Sequence, residues 1–537
     1  MTSSVYDTFR LATAHRPDDP AFTFLDAQLG SITYTYGQLF AAVEAIAEGM
    51  IAHGLSESGA PLGLLLRSQE EQVLHYLAGL RAKAVPAVLT PPNRKLNREY
   101  YARTTSEVLR RSRFAGLVTD VDLIEIDGPV FQPRTLEPAD AGGAEPRRDP
   151  PRDASFLQFS SGTTGIKRGV LVTDDALLAQ LRSYGDALGV TPEDTILSWL
   201  PLYHDMGFIA CLNLPVFLGV HTVMIEPMDW VAQPSLFPRA ASTFGATLSW
   251  NPNFAYAFMA GRIGDADLAE VDLTRLRALV NCSEPTTHGS QEQFLRRFGP
   301  FGLDQQVFKG CYAMAETTFA LTHGEPTWPH ARDEFGAAND ASSEQGPPRL
   351  SVGRPLPGVE IEVRNSEGQL CDERQIGRLW VRSPFNFSGY FRDEEATAEA
   401  FDGDWYHTGD LGYRVDDALF VTGRSKDVLI VGGVNVFPED LEREAAQVEG
   451  IVAGRVAAFS QFDDRLQTER IVLLAETELV GGSAMQAVLE VRQRILASFQ
   501  IANFDVNPVP PGWLIKSSSG KVARSANQDK WRTEASA

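Results

Sequence analysis

Residues 159 to 169 read FSSGTTGIKRG and combine glycines, hydroxyl side chains and two cations in one short stretch. Such a stretch does not suit a packed core, because glycine loses much entropy on ordering and Ser and Thr compete for backbone hydrogen bonds. We expect the strand ASFLQ before it and a helix after it. Backbone N–H groups and hydroxyls on such a strand-to-helix turn, with Lys167 as a cation, form a phosphate cradle. GxxxxGK(S/T) is absent, so this is no Walker motif, and taken alone a surface loop explains it equally well.

The charge of the chain restricts its partners. The formal net charge is −22 over 537 residues, which disfavours nucleic acid and anionic membranes as partners. An anionic ligand would therefore need cations supplied by the site itself. Lysine is scarce, since only eight of the 48 basic residues are lysine.

Cysteine usage and hydropathy indicate a cytoplasmic protein. The four cysteines are isolated, which favours neither a disulfide framework nor a zinc site. The first twenty residues carry Asp and Arg where a signal peptide needs an apolar core. No apolar run reaches the ~18 residues that a membrane span requires.

Apolar spacing predicts an α/β protein with several domains. Residues 36 to 53 have helical spacing, PLGLLLR reads as a buried strand, and EEQVLHYLAGLRAKA reads as a helix. Strands alternating with helices predict parallel sheets with flanking helices. GVEIEVRN and IGRLWVRSP alternate in the strand period, which predicts an antiparallel β-subdomain. The last ~110 residues mix short strands with helices and read as a separate small α+β domain, so we expect domains at 1–423 and 428–537 with a boundary at 424–427.

The FSSGTTGIKRG loop resembles the phosphate loop of the acyl-adenylate-forming superfamily, whose usual pattern is (S/T)SG(S/T)TGxPKG. That superfamily includes acyl-CoA synthetases, firefly-type luciferases, peptide-synthetase adenylation domains and fatty acyl-AMP ligases. Here Ile166 stands for the Pro and Arg168 precedes Gly169, while the family's motif order extends over nearly the whole chain. The resemblance implies nucleotide contacts for Ser160, Ser161, Gly162, Thr163, Thr164, Gly165 and Lys167.

Two further motifs resemble the acid-binding side of these enzymes. SWLPLYHDMGF (198–208) implies that His204 lies near the substrate carboxylate, although a lone His is otherwise more often a core residue. PLYHDMG and WNPNFAYAF (250–258) resemble fatty acyl-AMP ligases in particular. The resemblance implies an acyl pocket at Asn251, Phe254 and Ala313, and its mostly apolar lining favours a hydrophobic acyl or aryl acid.

The nucleotide motifs follow in the family's order. NCSEPT (281–286) occupies the place of the adenine-side loop, and CYAMAETT (311–318) resembles the motif whose aromatic residue packs on adenine and whose Glu holds Mg²⁺. WYHTGDLGY (405–413) resembles the motif whose Asp binds the ribose hydroxyls, and Arg424 would bind ribose or phosphate. Carboxylate and phosphate oxygens are the ligands that Mg²⁺ prefers. The residues implied are Ser283, Glu284, Pro285, Tyr312, Ala313, Met314, Glu316, Thr317, Asp410 and Arg424.

The C-terminal motifs imply two half-reactions. Lys521, in SSSGKVAR (517–524), matches the family's adenylation lysine, which stabilises the transition state at the α-phosphate. Lys426 occupies the hinge position about which the small domain turns between adenylation and thiol attack. In VGGVN (431–435), Gly432, Gly433 and Asn435 would line the passage of a pantetheine thiol.

The resemblance predicts an ATP- and Mg²⁺-dependent ligase that converts a small-molecule carboxylic acid to acyl-AMP and then to a thioester. The form GGVNVFP favours CoA as the acceptor, because fatty acyl-AMP ligases typically carry a form like GRNHYP there. The main alternative is a fatty acyl-AMP ligase that loads an acyl carrier protein, as the N-terminal motifs favour. Two further alternatives are a luciferase-like oxidative enzyme and a non-catalytic nucleotide binder.

Overall fold

The helices follow the apolar spacing of the sequence. The structure is a computed structural model that describes residues 4–55, 60–92, 98–121, 130–133, 154–159, 168–324, 332–333, 349–431, 434–463, 468–499, 504–517 and 520–535. A capping box between Thr35 and Gln38 starts the helix predicted over 36 to 53. The α-helices are α1 (Val5–His15), α2 (Tyr36–Ala52), α3 (Gln69–Arg81), α4 (Arg98–Ser112), α5 (Asp174–Leu188), α6 (Leu214–Leu218), α7 (Pro227–Ala232), α8 (Leu236–Phe244), α9 (Asn253–Arg262), α10 (His288–Phe298), α11 (Glu394–Ala400), α12 (Pro438–Ala445), α13 (Gly481–Phe499) and α14 (Arg524–Ala535).

The strands are short in the first part of the chain and longest near its end. They are β1 (Pro20–Leu25), β2 (Ser31–Thr35), β3 (Pro61–Leu65), β4 (Val85–Val88), β5 (Gly116–Thr119), β6 (Val130–Phe131), β7 (Ala154–Phe159), β8 (Gly169–Thr173), β9 (Thr195–Ser198), β10 (His221–Ile225), β11 (Leu248–Asn251), β12 (Ala278–Asn281), β13 (Phe308–Gly310), β14 (Thr322–His323), β15 (Arg332–Asp333), β16 (Arg349–Leu350), β17 (Arg354–Pro355), β18 (Glu360–Arg364), β19 (Gly377–Arg382), β20 (Gly389–Tyr390), β21 (Phe401–Asp402), β22 (Trp405–Val415), β23 (Ala418–Arg424), β24 (Leu429–Val431), β25 (Val434–Val436), β26 (Ile451–Asp463), β27 (Thr468–Thr477) and β28 (Phe504–Val509).

Two parallel sheets confirm the α/β prediction. The larger has seven strands in the order β13-β12-β11-β9-β10-β1-β2, all parallel except the antiparallel edge strand β2. The smaller, β4-β3-β5-β6, is wholly parallel. Strands β3, β9, β11 and β12 are buried along their whole length, as expected for strands covered on both faces.

The predicted β-subdomain is also present. Strands β18, β19, β22 and β21 form an antiparallel sheet to which β23 adds beside β22. The C-terminal sheet β26-β27-β28 differs from the expectation of short strands, because β26 has 13 residues and β27 has 10. Their pairing as one long antiparallel ladder accounts for this length.

Strand β8 corrects the prediction of a strand-to-helix turn after residue 159. Strands β7 and β8 pair in antiparallel fashion, with Phe159 opposite Gly169, so the segment between them joins two strands of a hairpin. The residues GVLVT of β8 are buried up to the last position and also pair with β20. Helix α5 begins after β8, at Asp174.

The buried apolar residues form separate clusters along the chain. Among the described residues, the largest cluster extends from Val5 to Leu419, and the next begins at Leu429 and extends to Val506. The proposed hinge, residues 424–427, lies between the last residue of the first cluster, Leu419, and the first residue of the second, Leu429. It includes the short 3₁₀-helix Ser425–Asp427. In the part of the chain that the structure describes, no helix has the length and apolarity for a membrane crossing.

An ion pair between the buried Asp194 and the partly exposed Arg277 fixes the start of β9, the strand that leads to the histidine motif. Asp194 is 6 % exposed and pairs with Arg277 at 2.7 Å, and Thr247 Oγ1 donates to it at 2.6 Å. Burial alone would raise the pKa of Asp194, but the hydrogen bonds and charge of Arg277 and the bond from Thr247 lower it to about 2. The folded pKa lies below the unfolded value of 3.8, so the carboxylate stabilises the fold above that pH and loses its effect as the pH falls through 2.

Asp194→Asn is expected to lower the free energy of unfolding at pH 7 by about 2 kcal/mol, since a shift of one pKa unit corresponds to about 1.4 kcal/mol. Urea unfolding at pH 7 and pH 3 would measure the penalty, which should be about half as large at pH 3. The control is Asp265→Asn, whose carboxylate pairs with Arg297 but is 91 % exposed, so the change should cost less than about 0.5 kcal/mol. An equal loss in both variants would contradict the prediction.

Candidate active site

His204 lies in the segment between β9 and a π-helix, Met206–Asn213. Its Nδ1 lies 2.6 Å from Asp205 Oδ1, and the same carboxylate oxygen accepts a hydrogen bond from the Met206 backbone N–H at 2.8 Å. Burial acts to raise the pKa of Asp205, but His204 and then Lys521 lower it by their positive charge, and the net shift is downward. His204 therefore adjoins the Asp205 carboxylate, and the charge of Lys521, 317 residues from His204 in the sequence, also acts on it.

Aromatic side chains surround the residues predicted to form the acyl pocket. Asn251, the last residue of β11, accepts a hydrogen bond on Oδ1 from the Trp199 indole at 2.7 Å. Trp199 stacks on Trp230 with the ring centroids 3.6 Å apart, and both rings meet the edge of Phe254. Phe254 is 37 % exposed, so part of its ring is open to a ligand. The surroundings of Asn251 and Phe254 are suited to an apolar or aromatic group.

The predicted adenine-side loop follows β12. Ser283 adopts a left-handed conformation with φ of 70°, an uncommon value for a residue other than Gly, Asn or Asp. Glu284 Oε2 accepts a hydrogen bond from the Phe254 backbone N–H at 3.0 Å. This bond joins the loop that contains Ser283, Glu284 and Pro285 to the first turn of α9, on the acyl side.

A hydrogen-bonded chain links the predicted adenine and ribose residues. Tyr312 Oη donates to Asp410 Oδ2 at 2.6 Å, and Arg424 Nε lies 3.2 Å from Asp410 Oδ1. Tyr312 follows β13, Asp410 lies in β22, and Arg424 ends β23, opposite Asp410 in the register of the two strands. Burial and the Asp410 carboxylate raise the pKa of Tyr312, so its phenol remains a donor.

Glu316 lies in a short 3₁₀-helix, Ala315–Thr317, and accepts a hydrogen bond from Tyr390 Oη at 3.1 Å. Burial raises the pKa of its carboxyl group, whereas the Arg424 charge and the Tyr390 hydroxyl oppose that shift. The next turn contains Thr318 at φ 62°, a strained conformation for a β-branched residue, and Thr318 Oγ1 donates to the Phe385 carbonyl at 2.8 Å. The turn therefore holds Glu316 in a defined position.

The other residues of this motif make mainly backbone contacts. Ala313 forms a bridge with Ala320, and the Met314 backbone N–H donates to the Phe319 carbonyl at 3.1 Å. Thr317 is fully buried, with Oγ1 3.2 Å from the Met314 carbonyl and 3.0 Å from the Phe319 carbonyl. The hydroxyl of Thr317 thus lies within the turn that presents Glu316.

Cations collect around these carboxylates. Besides Arg424, Lys426 lies in the 3₁₀-helix Ser425–Asp427, and burial followed by repulsion from Arg424 and Arg168 lowers its pKa. The Arg168 guanidinium lies over the Tyr390 ring at 5.1 Å and 3.7 Å from the Asp393 carboxylate. An acidic protein therefore has local positive charge at the place where the sequence predicts a polyanionic ligand.

Lys521 lies at the tip of a short hairpin in which Lys516 forms a bridge with Val522. The Ser517 backbone N–H donates to the Lys521 carbonyl at 2.8 Å, and the Gly520 N–H donates to the Ser517 carbonyl at 2.9 Å. Gly520 has φ of 82°, which glycine adopts without a steric penalty. The lysine side chain is exposed, as its predicted role requires.

Some predicted residues lie outside the described part of the chain. They are Ser160, Ser161, Gly162, Thr163, Thr164, Gly165 and Lys167 of the phosphate loop, and Gly432 and Gly433 of the pantetheine passage. Asn435 lies in β25, and its role likewise stays a prediction.

Sequence reasoning missed three residues that position the predicted ones. Asp205 adjoins His204 in the sequence, so the pair HD was an available signal. Tyr390 is separated from Glu316 by 74 residues, and no local pattern connects the two. Arg168 was noted as a departure from the family pattern, and the structure places it on the ring of Tyr390.

Comparison with known proteins identifies the family of the chain. The family model described as AMP-binding enzyme matches residues 9–391. The chain is 28 % identical to the putative fatty-acid–CoA ligase FadD21 of Mycobacterium tuberculosis, covering 99 % of this chain and 98 % of that one. It is also 28 % identical to the long-chain-fatty-acid–AMP ligase FadD26 of Mycobacterium marinum, covering 97 % and 95 %.

The fold has a close counterpart among solved structures. A structure from a study of fatty acyl-adenylate ligases of E. coli and L. pneumophila superimposes with a TM-score of 0.87 at 26 % identity, covering 99 % of both chains. The family match over more than half of the chain and this superposition agree with the order of motifs. The chain belongs to the AMP-binding enzyme family, the adenylate-forming ligases.

Proposed function

We propose that the protein uses ATP to activate a hydrophobic carboxylic acid as acyl-AMP and then transfers the acyl group to the thiol of CoA. The observation that carries the proposal is the hydrogen-bonded chain Tyr312–Asp410–Arg424, and the closeness of His204 to Asp205 and the charge of Lys521 acting on Asp205 support it. The chain is suited to a nucleoside, and the second group to a carboxylate and an α-phosphate.

The first step joins an oxygen of the acid to the α-phosphorus and breaks the bond to the β-phosphate oxygen, so that pyrophosphate leaves. Negative charge builds on the α-phosphate oxygens, and fixed cations aimed at that charge lower the barrier. Lys521 would supply this charge, while Asp205 holds His204 against the carboxylate side of the site. In the second step the thiol sulfur attacks the acyl carbon, AMP leaves, and the thiol proton is released.

The residues present fit a magnesium ion that is held mainly by the nucleotide. Among the described residues, no group of three or more His, Cys, Asp or Glu side chains could hold a metal ion. Mg²⁺ in nucleotide enzymes is commonly bound by one or two carboxylates, substrate phosphates and waters, and Glu316 is a partly exposed carboxylate that could serve in this way. Bound there, the ion would offset phosphate charge, and Tyr390 would keep the Glu316 carboxylate ionised and oriented.

Tyr390→Phe is expected to shift the acidic limb of the activity–pH profile to higher pH. The Tyr390 hydrogen bond opposes the burial that raises the pKa of Glu316, so its loss raises that pKa further. A protonated Glu316 cannot bind Mg²⁺, so the ion and the proton compete for this carboxylate. The acidic limb of the variant's profile should therefore return towards that of the wild type as the Mg²⁺ concentration rises. Pyrophosphate release between pH 5 and 8 would measure the shift, with a fixed acid substrate. The control is Tyr34→Phe, which removes a hydroxyl that donates to Glu70 on the edge strand β2; an equal shift in both variants would contradict the prediction.

The acyl side supports an apolar acid. Trp199 donates to Asn251 and belongs to an aromatic cluster with Trp230, Phe254 and Phe258, in which the two Trp rings are buried and Phe254 is partly exposed. Aromatic rings bury large apolar areas and stack on other rings. A fatty acyl chain and an aryl acid both match these surroundings.

An acyl carrier protein is the second candidate acceptor. The curated relatives include a protein named as an AMP ligase as well as one named as a CoA ligase. The sequence around residues 431–437 favours CoA, and a net charge of −22 disfavours an acidic protein partner. The two acceptors are separated by a direct assay of the second step.

The test is a mass-spectrometric product screen with Mg-ATP and a panel of fatty, aryl and polycyclic acids, without a thiol, with CoA, and with a phosphopantetheine-bearing carrier protein. Acyl-CoA and AMP are the expected products. If acyl-AMP accumulates in the presence of CoA but is consumed in the presence of the carrier protein, the acceptor is the carrier protein and not CoA. No product from any acid would contradict the proposed function.

Lys521→Ala is expected to lower the rate of acyl-AMP formation by about a hundredfold or more, because it removes a charge aimed at the transition state. The measurement is pyrophosphate release with the acid found in the screen. The control is Lys530→Ala, in the same part of the chain, whose ammonium packs on Trp513 at 3.9 Å; this variant should retain the wild-type rate. Retention of activity in Lys521→Ala would contradict the assignment.

Gly433→Val is expected to spare acyl-AMP formation and to lower thioester formation, since a branched side chain would obstruct the passage of the thiol. Each half-reaction is measured separately, the second from added acyl-AMP. A loss of both half-reactions would contradict this separation of roles.

A further inference from the structure

Arg524 is the centre of a cluster of buried charges. Its Nη1 lies 3.0 Å from Asp427 Oδ2 and 2.7 Å from Glu439 Oε1, and its Nη2 lies 2.8 Å from Glu442 Oε2. Nε also donates to Glu442 Oε1 at 2.8 Å. The arginine is 19 % exposed, and the three carboxylates are similarly covered. One guanidinium therefore binds three carboxylates through separate N–H groups.

The three carboxylates belong to two different elements. Asp427 is the last residue of the 3₁₀-helix Ser425–Asp427, next to Lys426 at the proposed hinge. Glu439 and Glu442 lie on α12, and Glu442 Oε1 also accepts the Ala458 backbone N–H of β26 at 2.9 Å. Arg524 thus connects Asp427 of the proposed hinge segment to helix α12.

Arg524 also begins α14, directly after the hairpin that presents Lys521. The other flank of the hairpin is held by Asn527, which is fully buried. Asn527 Oδ1 accepts the Ile515 N–H at 2.8 Å, and its Nδ2 donates to the carbonyls of Ile515 and Ala523 at 2.9 Å. Asn527 holds the hairpin to α14, and Arg524 holds that junction to the hinge.

The composition of the cluster requires an arginine. Burial and the neighbouring Glu442 carboxylate raise the pKa of Glu439, and the charge of Arg524 opposes this shift. A lysine would keep the charge, but its compact ammonium cannot fork between three carboxylates held in different directions. The number and directions of the carboxylates therefore match a planar donor group.

We propose that Arg524 is a positioning residue for adenylation, which couples the Lys521 hairpin to the hinge through Asp427 so that the two move as one rigid unit. The inference rests on the proposed function, in which Lys521 acts at the α-phosphate. Misplacement of a reacting group by about 1 Å can lower the rate about a hundredfold. The ion pair of Arg524 with Asp427 can therefore affect catalysis by fixing the position of Lys521, without contact to the nucleotide.

The coupling predicts a loss confined to the first half-reaction. Arg524→Lys and Asp427→Asn are expected to lower kcat for acyl-AMP formation about tenfold or more, with KM for ATP within about twofold of the wild type. Thioester formation from added acyl-AMP should be unchanged. Combined with Lys521→Ala, neither change should cause a further loss, because both act through that lysine. Asp427→Asn leaves Arg524 bound to α12 and removes only the negative charge from its hinge contact.

The matched control is Arg494→Gln, which removes an arginine that pairs with Glu444 of α12 at 3.2 Å and does not contact the hairpin. It should retain both half-reactions. Unchanged adenylation in Asp427→Asn and Arg524→Lys would overturn the proposal. The proposal would also be overturned if the rates of both half-reactions fell in proportion to the folded fraction, as measured by thermal unfolding. The cluster would then have a purely structural role.

Hydrogen exchange decides the coupling independently of any acid substrate. Asp427→Asn should accelerate exchange at the Ser517 and Gly520 amides of the hairpin, about ninety residues away in sequence, with α13 unchanged as the internal reference. Unaltered exchange in the hairpin would overturn the proposal. A wild-type protein that forms no acyl-AMP would contradict the proposed function, whereas this exchange result would still stand.

Discussion

The contact of Asp410 with Tyr312 and Arg424 holds together the site on which the rest depends. The three residues come from the end of the seven-stranded sheet, from the β-subdomain and from the last strand before the proposed hinge. A buried carboxylate is costly unless it is paired and hydrogen-bonded, and here a phenol and a guanidinium meet that need. The pairing therefore fixes the β-subdomain against the parallel sheet and places the start of the hinge at the nucleotide residues.

Charge is distributed unevenly in this molecule. The protein has a formal net charge of −22, yet Arg168, Arg424, Lys426 and Lys521 gather near the carboxylates Asp205, Glu316 and Asp410. Interactions of this kind are stronger at partly buried positions than in water. A polyphosphate ligand would find cations here that could pair with its charge, although the protein as a whole is acidic.

Much of the fold could be predicted from the sequence, because amphipathic helices and fully apolar strands leave local patterns, whereas the roles of the site residues were implied by the motifs and stay predictions. Strand β8 was missed, because GVLVT runs directly into the helical pattern that begins at Asp174 and its pairing with β7 leaves no local signal. The partners of site residues were missed where the separation along the chain is large. Tyr390 lies 74 residues from Glu316, and Arg524 lies 97 residues from Asp427. Such contacts depend on tertiary packing, whereas Asp205 beside His204 was visible in the sequence.

The hydrogen bond between the Phe254 backbone N–H and Glu284 joins the helix of the predicted acyl side to the loop of the predicted adenine side. An acid that displaces the first turn of α9 must also move or break this bond, and a nucleotide that orders the loop must favour one position of α9. Binding of the two substrates is then thermodynamically linked, and the linkage is reciprocal. The affinity of the protein for ATP would then depend on which acid is bound, and bound ATP would change the affinity for each acid by the same factor.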